Sequence, residues 1–235
     1  MVYELSSALK NILFPSVCFV CEKATRNKVI CSDCYKKITF LTPPLCRLCS
    51  LPLRGRVRNL CGKCRPKTFY YDYLISILCY KEPIISLLHL FKYRQYEFLK
   101  DFFSSLMIEH LATIGCDLSG YDFIVNVPSH ALRIKEREYS QTLLLSEAIA
   151  HHLKIPLRNS ALQCIRHHPS QTKVAPTLRK YNIEGAFSAN QEIEGACVLL
   201  IDDVITTGAT VSECSKVLKK AGARRVSILS LARAG

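Results

Sequence analysis

The chain has 235 residues, of which 49% are hydrophobic and 22% charged, and it carries 13 cysteines and a formal net charge of +13. This balance is typical of a folded globular protein and excludes an intrinsically disordered chain. No apolar run is long enough to cross a bilayer, and the first residues lack the features of a secretory signal peptide. We therefore expect a cytoplasmic protein with no membrane insertion. The length suits one α/β domain and a small additional module.

Eight of the cysteines form four Cys-x-x-Cys pairs in the N-terminal third of the chain: Cys18/Cys21, Cys31/Cys34, Cys46/Cys49 and Cys61/Cys64. A two-residue spacer directs both thiolates towards one ion, and two such pairs make a tetrahedral Cys₄ zinc site. In a cytoplasmic chain zinc binding is favoured over disulfides, because thiols stay reduced there. The sequence predicts two structural Zn²⁺ sites and leaves open whether the pairs combine sequentially or interleaved.

The cysteine-rich stretch is also basic, with twelve lysines and arginines against two acidic residues between positions 18 and 68. Arg54, Arg56 and Arg58 crowd the loop between the third and fourth cysteine pairs. A basic zinc module suggests contact with the nucleic-acid backbone, and these three arginines are the candidate DNA-binding residues. The alternative is an ordinary solvated surface on a module that needs zinc because its core is small.

We predict an N-terminal helix and zinc module over residues 1–68 and an α/β domain over residues 69–235. Hydrophobic periodicity predicts a strand, two helices, a strand, a helix and a strand. Tyr121–Val127 is expected to be the first strand of the main sheet, followed by a crevice loop containing Ser129. The predicted elements are Leu74–Cys79, Pro83–Arg94, Glu97–Ile114, Tyr121–Val127, Lys135–Leu153 (with Leu143, Leu144, Ala148 and Ile149 inward) and Leu162–Arg166.

The stretch from Lys154 to Ile183 contains no acidic residue. A long basic loop beside an anion site can close over it as a lid. The alternative is a solvated loop without a binding role. The six lysines and arginines of this stretch are Lys154, Arg158, Arg166, Lys173, Arg179 and Lys180.

The apolar run Ala196–Ile201 predicts a central parallel strand that ends at Asp202 and Asp203. A polar turn, Thr206–Thr210, follows it and leads into a helix that stops at Gly222, and Arg225–Leu231 predicts the next strand. Strand, loop, helix and strand form a βαβ unit.

This turn has the chemistry of a site for a ribose 5-phosphate. Free N–H groups at a helix start suit a phosphate, Gly208 allows close backbone approach, and the hydroxyls of Thr206, Thr207 and Thr210 can donate to phosphate oxygens. Adjacent carboxylates can accept hydrogen bonds from vicinal hydroxyls. The alternative is an N-cap cluster after an ordinary strand.

The stretch Asp202–Thr210 resembles the phosphoribosyl-pyrophosphate (PRPP) signature of type I phosphoribosyltransferases. In that family the acidic pair holds the ribose 2′- and 3′-hydroxyls and the Thr-Thr-Gly turn holds the 5′-phosphate. The resemblance implies a doubly wound, mostly parallel sheet and binding of PRPP with Mg²⁺. It assigns catalytic roles to Asp202 and Asp203, and PRPP contacts to Asp202, Asp203, Thr206, Thr207, Gly208, Ala209, Thr210 and Ser129.

A second resemblance, to the ComF family, covers nearly the whole chain. It is carried by the four cysteine pairs, Tyr80…Phe91-Lys92-Tyr93, Val127-Pro128 with Arg137…Gln141, Arg166…Gln171-Thr172, Arg179…Asn182-Ile183-Glu184-Gly185-Ala186-Phe187 and the PRPP signature. The family is linked to natural competence, so the resemblance implies single-stranded DNA and other DNA-uptake proteins as partners. One stretch departs from the family pattern: Arg-Gly-Phe-Asn-Gln is replaced by Arg137-Glu138-Tyr139-Ser140-Gln141.

Three hypotheses follow for the function. The first is a PRPP-binding, phosphoribosyltransferase-like protein that acts in DNA uptake. The second is a catalytically silent PRPP sensor or scaffold whose zinc module binds DNA or protein partners. The third is a phosphoribosyltransferase for a small base or amine, although no general base for an acceptor is evident in the sequence.

Overall fold

The computed structural model describes residues 16–25, 29–53, 59–94, 96–129, 139–166, 183–190 and 193–235. Within these ranges the centre of the molecule is a four-stranded sheet in the order β1-β6-β5-β2, with all neighbours parallel. A separate antiparallel pair joins β3 to β4. The strands are β1 (Tyr73–Cys79), β2 (Phe123–Asn126), β3 (Leu162–Cys164), β4 (Phe187–Ala189), β5 (Cys197–Ile205) and β6 (Arg225–Arg233).

Helices cover both faces of the sheet, as the predicted doubly wound fold requires. They are α1 (Ser32–Tyr35), α2 (Ile84–Tyr93), α3 (Leu99–Thr113), α4 (Gln141–Leu153) and α5 (Ala209–Lys220). Successive residues of a strand point to opposite faces, so Leu199 and Ile201 of β5 join the core beneath α2, α3 and α4. Val198 and Leu200 join the core beneath α5 and the β3–β4 pair. None of the helices in the described ranges has the length and hydropathy to cross a membrane.

Strand β5 is longer than the sequence predicted. Asp202 pairs with Ser230 of β6, and the pairing continues to Ile205 opposite Arg233. The prediction that the strand ends at the two aspartates was therefore wrong. The apolar residues after them and the equal length of β6 keep the backbone hydrogen bonds of the ladder in place. Because the strand continues, Asp202 and Asp203 point to opposite faces of the sheet.

Two other predictions need correction, and a third is confirmed in part. Tyr121–Val127 is not the first strand of the main sheet, because β1 pairs with β6 at the sheet edge. The strand predicted at Leu162–Arg166 is confirmed over Leu162–Cys164, and it pairs with β4 outside the main sheet. The buried face of α4 is also shifted along the helix, with Gln141, Thr142, Leu145, Ser146 and Ile149 buried. Of the predicted inward residues, Ile149 is buried and Leu144 packs partly buried against the core, whereas Leu143 and Ala148 belong to none of the described core clusters.

Two hydroxyls explain the shifted face of α4. The Thr142 hydroxyl donates to the carbonyl of Val127 (2.8 Å), and the Ser146 hydroxyl donates to the carbonyl of Thr142 (2.7 Å). Buried polar groups are tolerated when they are hydrogen-bonded in this way. A pattern based on apolar residues alone therefore missed Thr142 and Ser146 on the buried face of this helix.

The cysteine-rich segment covers the outer edge of β1. The Leu41 N–H donates to the Ile77 carbonyl and the Cys79 N–H to the Thr39 carbonyl, both at 2.8 Å. Further along, the Leu74 N–H donates to the Arg47 carbonyl at 2.8 Å. An edge strand covered in this way cannot pair with another chain. The domain boundary after residue 68 stays a prediction, and the helix predicted near the N-terminus lies largely outside the described residues.

Candidate functional site

A cleft of about 200 Å³ opens at the carboxyl end of the sheet, where β2, β5 and the start of α5 meet. Such loop-lined crevices are where open α/β sheets bind ligands. All eight residues predicted to contact PRPP line this one cleft. Its lining residues are Tyr80, Lys92, Tyr93, Val127, Pro128, Ser129, Gln141, Thr142, Phe187 and every residue from Asp202 to Val211.

The two aspartates at the cleft lie in different surroundings. Asp202 is only 9% exposed and belongs to the α5 side of the sheet. Burial, with repulsion from Asp203 as the second cause, holds the pKa of the Asp202 carboxyl well above its usual range. The N–H of Asp203 donates to Asp202 Oδ1 at 2.9 Å, and the N–H of Val204 donates to Asp203 Oδ1 at 2.6 Å. One carboxyl is thus sheltered from solvent, and its neighbour faces a cation.

That cation is Lys92, which the sequence-based site did not include. Its Nζ lies 2.5 Å from Asp203 Oδ2, and both side chains are mostly buried. Lys92 stands in the last turn of α2, a position where a lysine is usually explained by the helix dipole. The pairing joins residues far apart in the chain, and the only hint of it in the sequence was the Phe91-Lys92-Tyr93 match to the ComF pattern.

The end of α2 is tied to the start of α4 beside the cleft. The Tyr139 hydroxyl donates to the Phe91 carbonyl, and Gln141 Nε2 donates to the Lys92 carbonyl at 3.4 Å. The Ser140 side chain caps α4 by accepting from the Leu143 N–H. Tyr139, Ser140 and Gln141 belong to the stretch that departs from the family pattern, whereas its Arg137 and Glu138 lie outside the described residues.

The turn after β5 presents the N-terminus of α5 to the cleft. Gly208 has φ of 79°, a left-handed conformation that glycine adopts at no steric cost. A Cβ at this position would also lie 3.3 Å from the Tyr71 hydroxyl. The Thr207 hydroxyl accepts from the Ala209 N–H at 3.3 Å. The N–H groups of the first turn of α5, the threonine hydroxyls and the positive end of the helix dipole together make a site suited to a phosphate.

The eight cysteines gather into two clusters that combine neighbouring pairs. Cluster 1 is Cys18, Cys21, Cys31 and Cys34, and cluster 2 is Cys46, Cys49, Cys61 and Cys64. Within each cluster all four Sγ atoms lie within 4.8 Å of one another. Of the two pairings that the sequence left open, the structure shows the sequential one.

The spacing of the sulfur atoms fits tetrahedral zinc. Cys21 Sγ lies 3.7 Å from Cys31 Sγ, and Cys49 Sγ lies 3.7 Å from Cys61 Sγ. A tetrahedron with Zn–S bonds of about 2.3 Å has edges of about 3.8 Å. The candidate DNA residues Arg54, Arg56 and Arg58 lie outside the described residues, as do positions 167–182 of the basic stretch.

Comparisons with known proteins match both parts of the chain. Residues 9–65 match the double zinc ribbon domain, and residues 140–235 match the phosphoribosyl transferase domain. Competence protein F of Haemophilus influenzae is 31% identical over 212 residues, which are 87% of this chain and 90% of that protein. DNA utilization protein YhgH of Escherichia coli (strain K12) is 30% identical over 225 residues, 93% of this chain and 97% of that protein.

Solved structures also include similar folds. One is a purine phosphoribosyltransferase from Pyrococcus horikoshii, which is 20% identical with a TM-score of 0.37 and covers 57% of this chain and 73% of that chain.

Proposed function

Because this chain belongs to the ComF family, we propose that it binds PRPP in the cleft at the end of β5 and acts in the handling of single-stranded DNA during natural competence. One observation carries the PRPP part of the proposal. An adjacent pair of carboxylates and a threonine-rich helix start, which were predicted to bind ribose and phosphate, line the same cleft at the end of the parallel sheet.

Each part of the cleft has a role in this proposal. The N–H groups at the start of α5 and the hydroxyls of Thr206, Thr207 and Thr210 hold the 5′-phosphate. Asp202 and Asp203 accept the two ribose hydroxyls. Ser129, on the loop after β2, contacts the ligand from the opposite wall. Mg²⁺ binds together with PRPP, mainly through phosphate oxygens and retained water, as this ion prefers.

In this proposal Lys92 has two ionic partners, Asp203 when the cleft holds no ligand and the pyrophosphate group when PRPP is bound. Without ligand its ammonium group neutralises Asp203 at 2.5 Å. When ribose hydroxyls donate to Asp203, Lys92 becomes available to the oxygens of the pyrophosphate group, which is the leaving group in a transfer reaction. A cation beside developing negative charge stabilises such a transition state. We therefore add Lys92 to the residues of the proposed PRPP site.

The proposal is tested first by calorimetry with PRPP and Mg²⁺. The parent should bind one PRPP per chain, and Asp202→Ala combined with Asp203→Ala should abolish the signal because both hydroxyl acceptors are lost. Gly208→Val should do the same, because a side chain there closes the approach to the phosphate. Glu147→Ala, an exposed carboxylate of α4 outside the cleft, is the control. Unchanged binding in the double variant would show that the site is elsewhere.

Turnover is tested separately, by following pyrophosphate release from PRPP with Mg²⁺ and labelled single-stranded DNA, and then with small bases or amines. Release that depends on an acceptor, and is lost in the double aspartate variant, would make the protein a phosphoribosyltransferase and identify its acceptor class. Tight PRPP binding without release would instead favour a sensor or scaffold role on the same fold.

The DNA part of the proposal predicts a strong dependence on salt. Each phosphate neutralised on a single strand adds about 0.7 to the slope of log affinity against log salt concentration. Replacing Arg54, Arg56 and Arg58 by Ala should lower this slope by up to about 2 and weaken binding to all sequences alike. A triple variant of equal charge loss, Lys63→Ala with Arg65→Ala and Lys67→Ala, is the matched control. Equal slopes in all three proteins, measured by fluorescence anisotropy, would exclude the arginine loop as the interface.

A further inference from the structure

Cluster 2 lies next to the turn at residues 205–208, which leads from β5 into α5. Leu48 lies between the ligands Cys46 and Cys49, and its carbonyl accepts a hydrogen bond from the Tyr71 hydroxyl at 2.7 Å. The same hydroxyl lies 3.3 Å from the position that a Cβ on Gly208 would occupy. The two sites are thus separated by a single buried tyrosine.

Arg233 makes a second connection at the end of β6. Its Nε donates to the carbonyl of Cys49, a ligand residue of cluster 2, at 2.8 Å. Its Nη1 donates to the carbonyl of Ile205 at 3.1 Å and also to the carbonyl of Thr206. One guanidinium group therefore joins the backbone of the second zinc site to the backbone of the turn. Because the group is planar, its donors keep a fixed angle to one another.

Cluster 1 has no comparable connection among the described contacts. Its buried cysteines belong to the core with α2 and α3, and Phe19 packs against Tyr96 (ring centroids 5.2 Å apart) and Phe98 (5.5 Å). None of the hydrogen bonds described for these residues reaches positions 205–208. Both clusters have the same ligand chemistry, but among the described residues only cluster 2 is hydrogen-bonded to the turn.

We propose that cluster 2, acting through the positioning residues Arg233 and Tyr71, holds the backbone of residues 205–208 in its phosphate-binding conformation. The consequence for PRPP affinity rests on the proposed function given above, whereas the effect on the conformation of the turn does not. The zinc ribbon is then a part of the ligand site as well as an attached module. Loss of metal from cluster 2 loosens the turn, and loss of metal from cluster 1 leaves the turn unchanged.

The first test removes the connecting donors and leaves the zinc ligands intact. Arg233→Lys keeps the charge but loses the planar fork, and Tyr71→Phe loses only the hydroxyl. We expect faster amide hydrogen exchange at Thr206, Thr207 and Gly208 in both variants. We also expect PRPP affinity to fall by about tenfold for Arg233→Lys and about fivefold for Tyr71→Phe, as expected for a lost hydrogen bond. Two zinc ions per chain should remain in both, and Tyr73→Phe, an exposed tyrosine of β1, is the control.

The second test compares the most exposed ligand of each cluster. Cys61→Ser should speed exchange in the turn and weaken PRPP binding, and Cys21→Ser should do neither. Equal effects of the two variants, or unchanged exchange in Arg233→Lys, would overturn the inference. If the parent does not bind PRPP, the proposed function fails. The exchange data, recorded without PRPP, still decide the inference, and the Arg233 and Tyr71 variants decide it if Cys61→Ser does not fold.

Discussion

The two faces of the central sheet each carry one cysteine cluster and one aspartate of the cleft, and they use them differently. Cluster 1 joins the apolar core of the α2–α3 face, where Asp203 is paired with Lys92. Cluster 2 forms a small core of its own, and its Leu48 packs on the α5 face, to which Asp202 belongs. The same ligand motif therefore serves global packing on one face and local hydrogen bonding on the other.

The two clusters have the same ligands but contact the rest of the protein in different ways. The kind of contact, apolar packing or hydrogen bonds, therefore decides whether overall stability or the ligand site depends on a cluster. Apolar contacts are not directional, so a cluster held by them supports stability without fixing the position of any one backbone atom. Hydrogen bonds are directional, so a cluster held by Arg233 and Tyr71 fixes the carbonyls that it reaches. We expect stability to depend mainly on cluster 1 and the ligand site mainly on cluster 2.

The largest expected effect tests this division through stability. Cys34 and Cys64 are similarly buried ligands of the two clusters. Cys34→Ser should lower the free energy of unfolding by about 3–5 kcal/mol, because it combines loss of a metal with disruption of the main core. Cys64→Ser should cost less, because its cluster has a small separate core. Thermal unfolding with zinc analysis measures both, and Cys116→Ser is the control outside the clusters. A larger loss for Cys64→Ser would reverse the comparison.

An intermediate effect is expected for the ion pair on the α2 face. Lys92→Met leaves Asp203 without its cation in a mostly buried place, and should cost about 1–2 kcal/mol, which is less than for a fully buried pair. Adding Asp203→Asn should recover most of this loss, as a double-mutant cycle in chemical denaturation would show. The more exposed pair of Lys219 with Asp72, at 2.9 Å, is the control and should couple by less than about 1 kcal/mol. Equal coupling energies for the Lys92–Asp203 and Lys219–Asp72 pairs would show that Lys92 stabilises the protein no more than a surface ion pair does.

The smallest effect concerns Asp202 on the α5 face. Its pKa is raised in the folded protein, mainly by burial, so the folded state binds the proton more tightly than the unfolded state does. The stability from this group is present at low pH and is lost as pH rises through the raised pKa. Asp202→Asn should therefore be more stable than the parent at neutral pH, by about 1 kcal/mol or roughly 2–4 °C in Tm. This advantage should shrink as pH falls towards the ordinary range of an aspartate.

Measuring unfolding of Asp202→Asn and the parent from pH 5 to 8, with zinc present, tests this sign. Asp117 gives a control of opposite direction, because hydrogen bonds from Ser119 lower its pKa. Asp117→Asn should lose stability relative to the parent near neutral pH, and this loss should stay constant from pH 8 to pH 5, because the lowered pKa lies below that range. An Asp202→Asn variant that is less stable than the parent at neutral pH would mean that its carboxylate is stabilised in the fold.

The sequence alone determined the features that depend on short spacing. A spacing of two residues between cysteines defines a pair of metal ligands whatever the rest of the fold is. A β-branched run followed by a threonine-glycine turn and an amphipathic helix predicts β5 and α5. The eight residues predicted from the sequence to contact PRPP lie within nine positions of each other apart from Ser129, so they share one cleft by local geometry. The longer β5 and the shifted face of α4 were missed, because strand pairing and buried hydroxyls depend on neighbours that periodicity does not include.

Only the tertiary structure decided which distant groups meet. The pairing of the cysteine knuckles, the contact of Lys92 with Asp203 and the bonds of Arg233 all join separate elements of the fold. Arg233 and Cys49 are 184 positions apart in the chain, and they meet because β6 pairs with β1 and the cysteine-rich segment runs along the free edge of β1. No local pattern in the sequence encodes such a contact, since it is formed by the packing of the whole sheet.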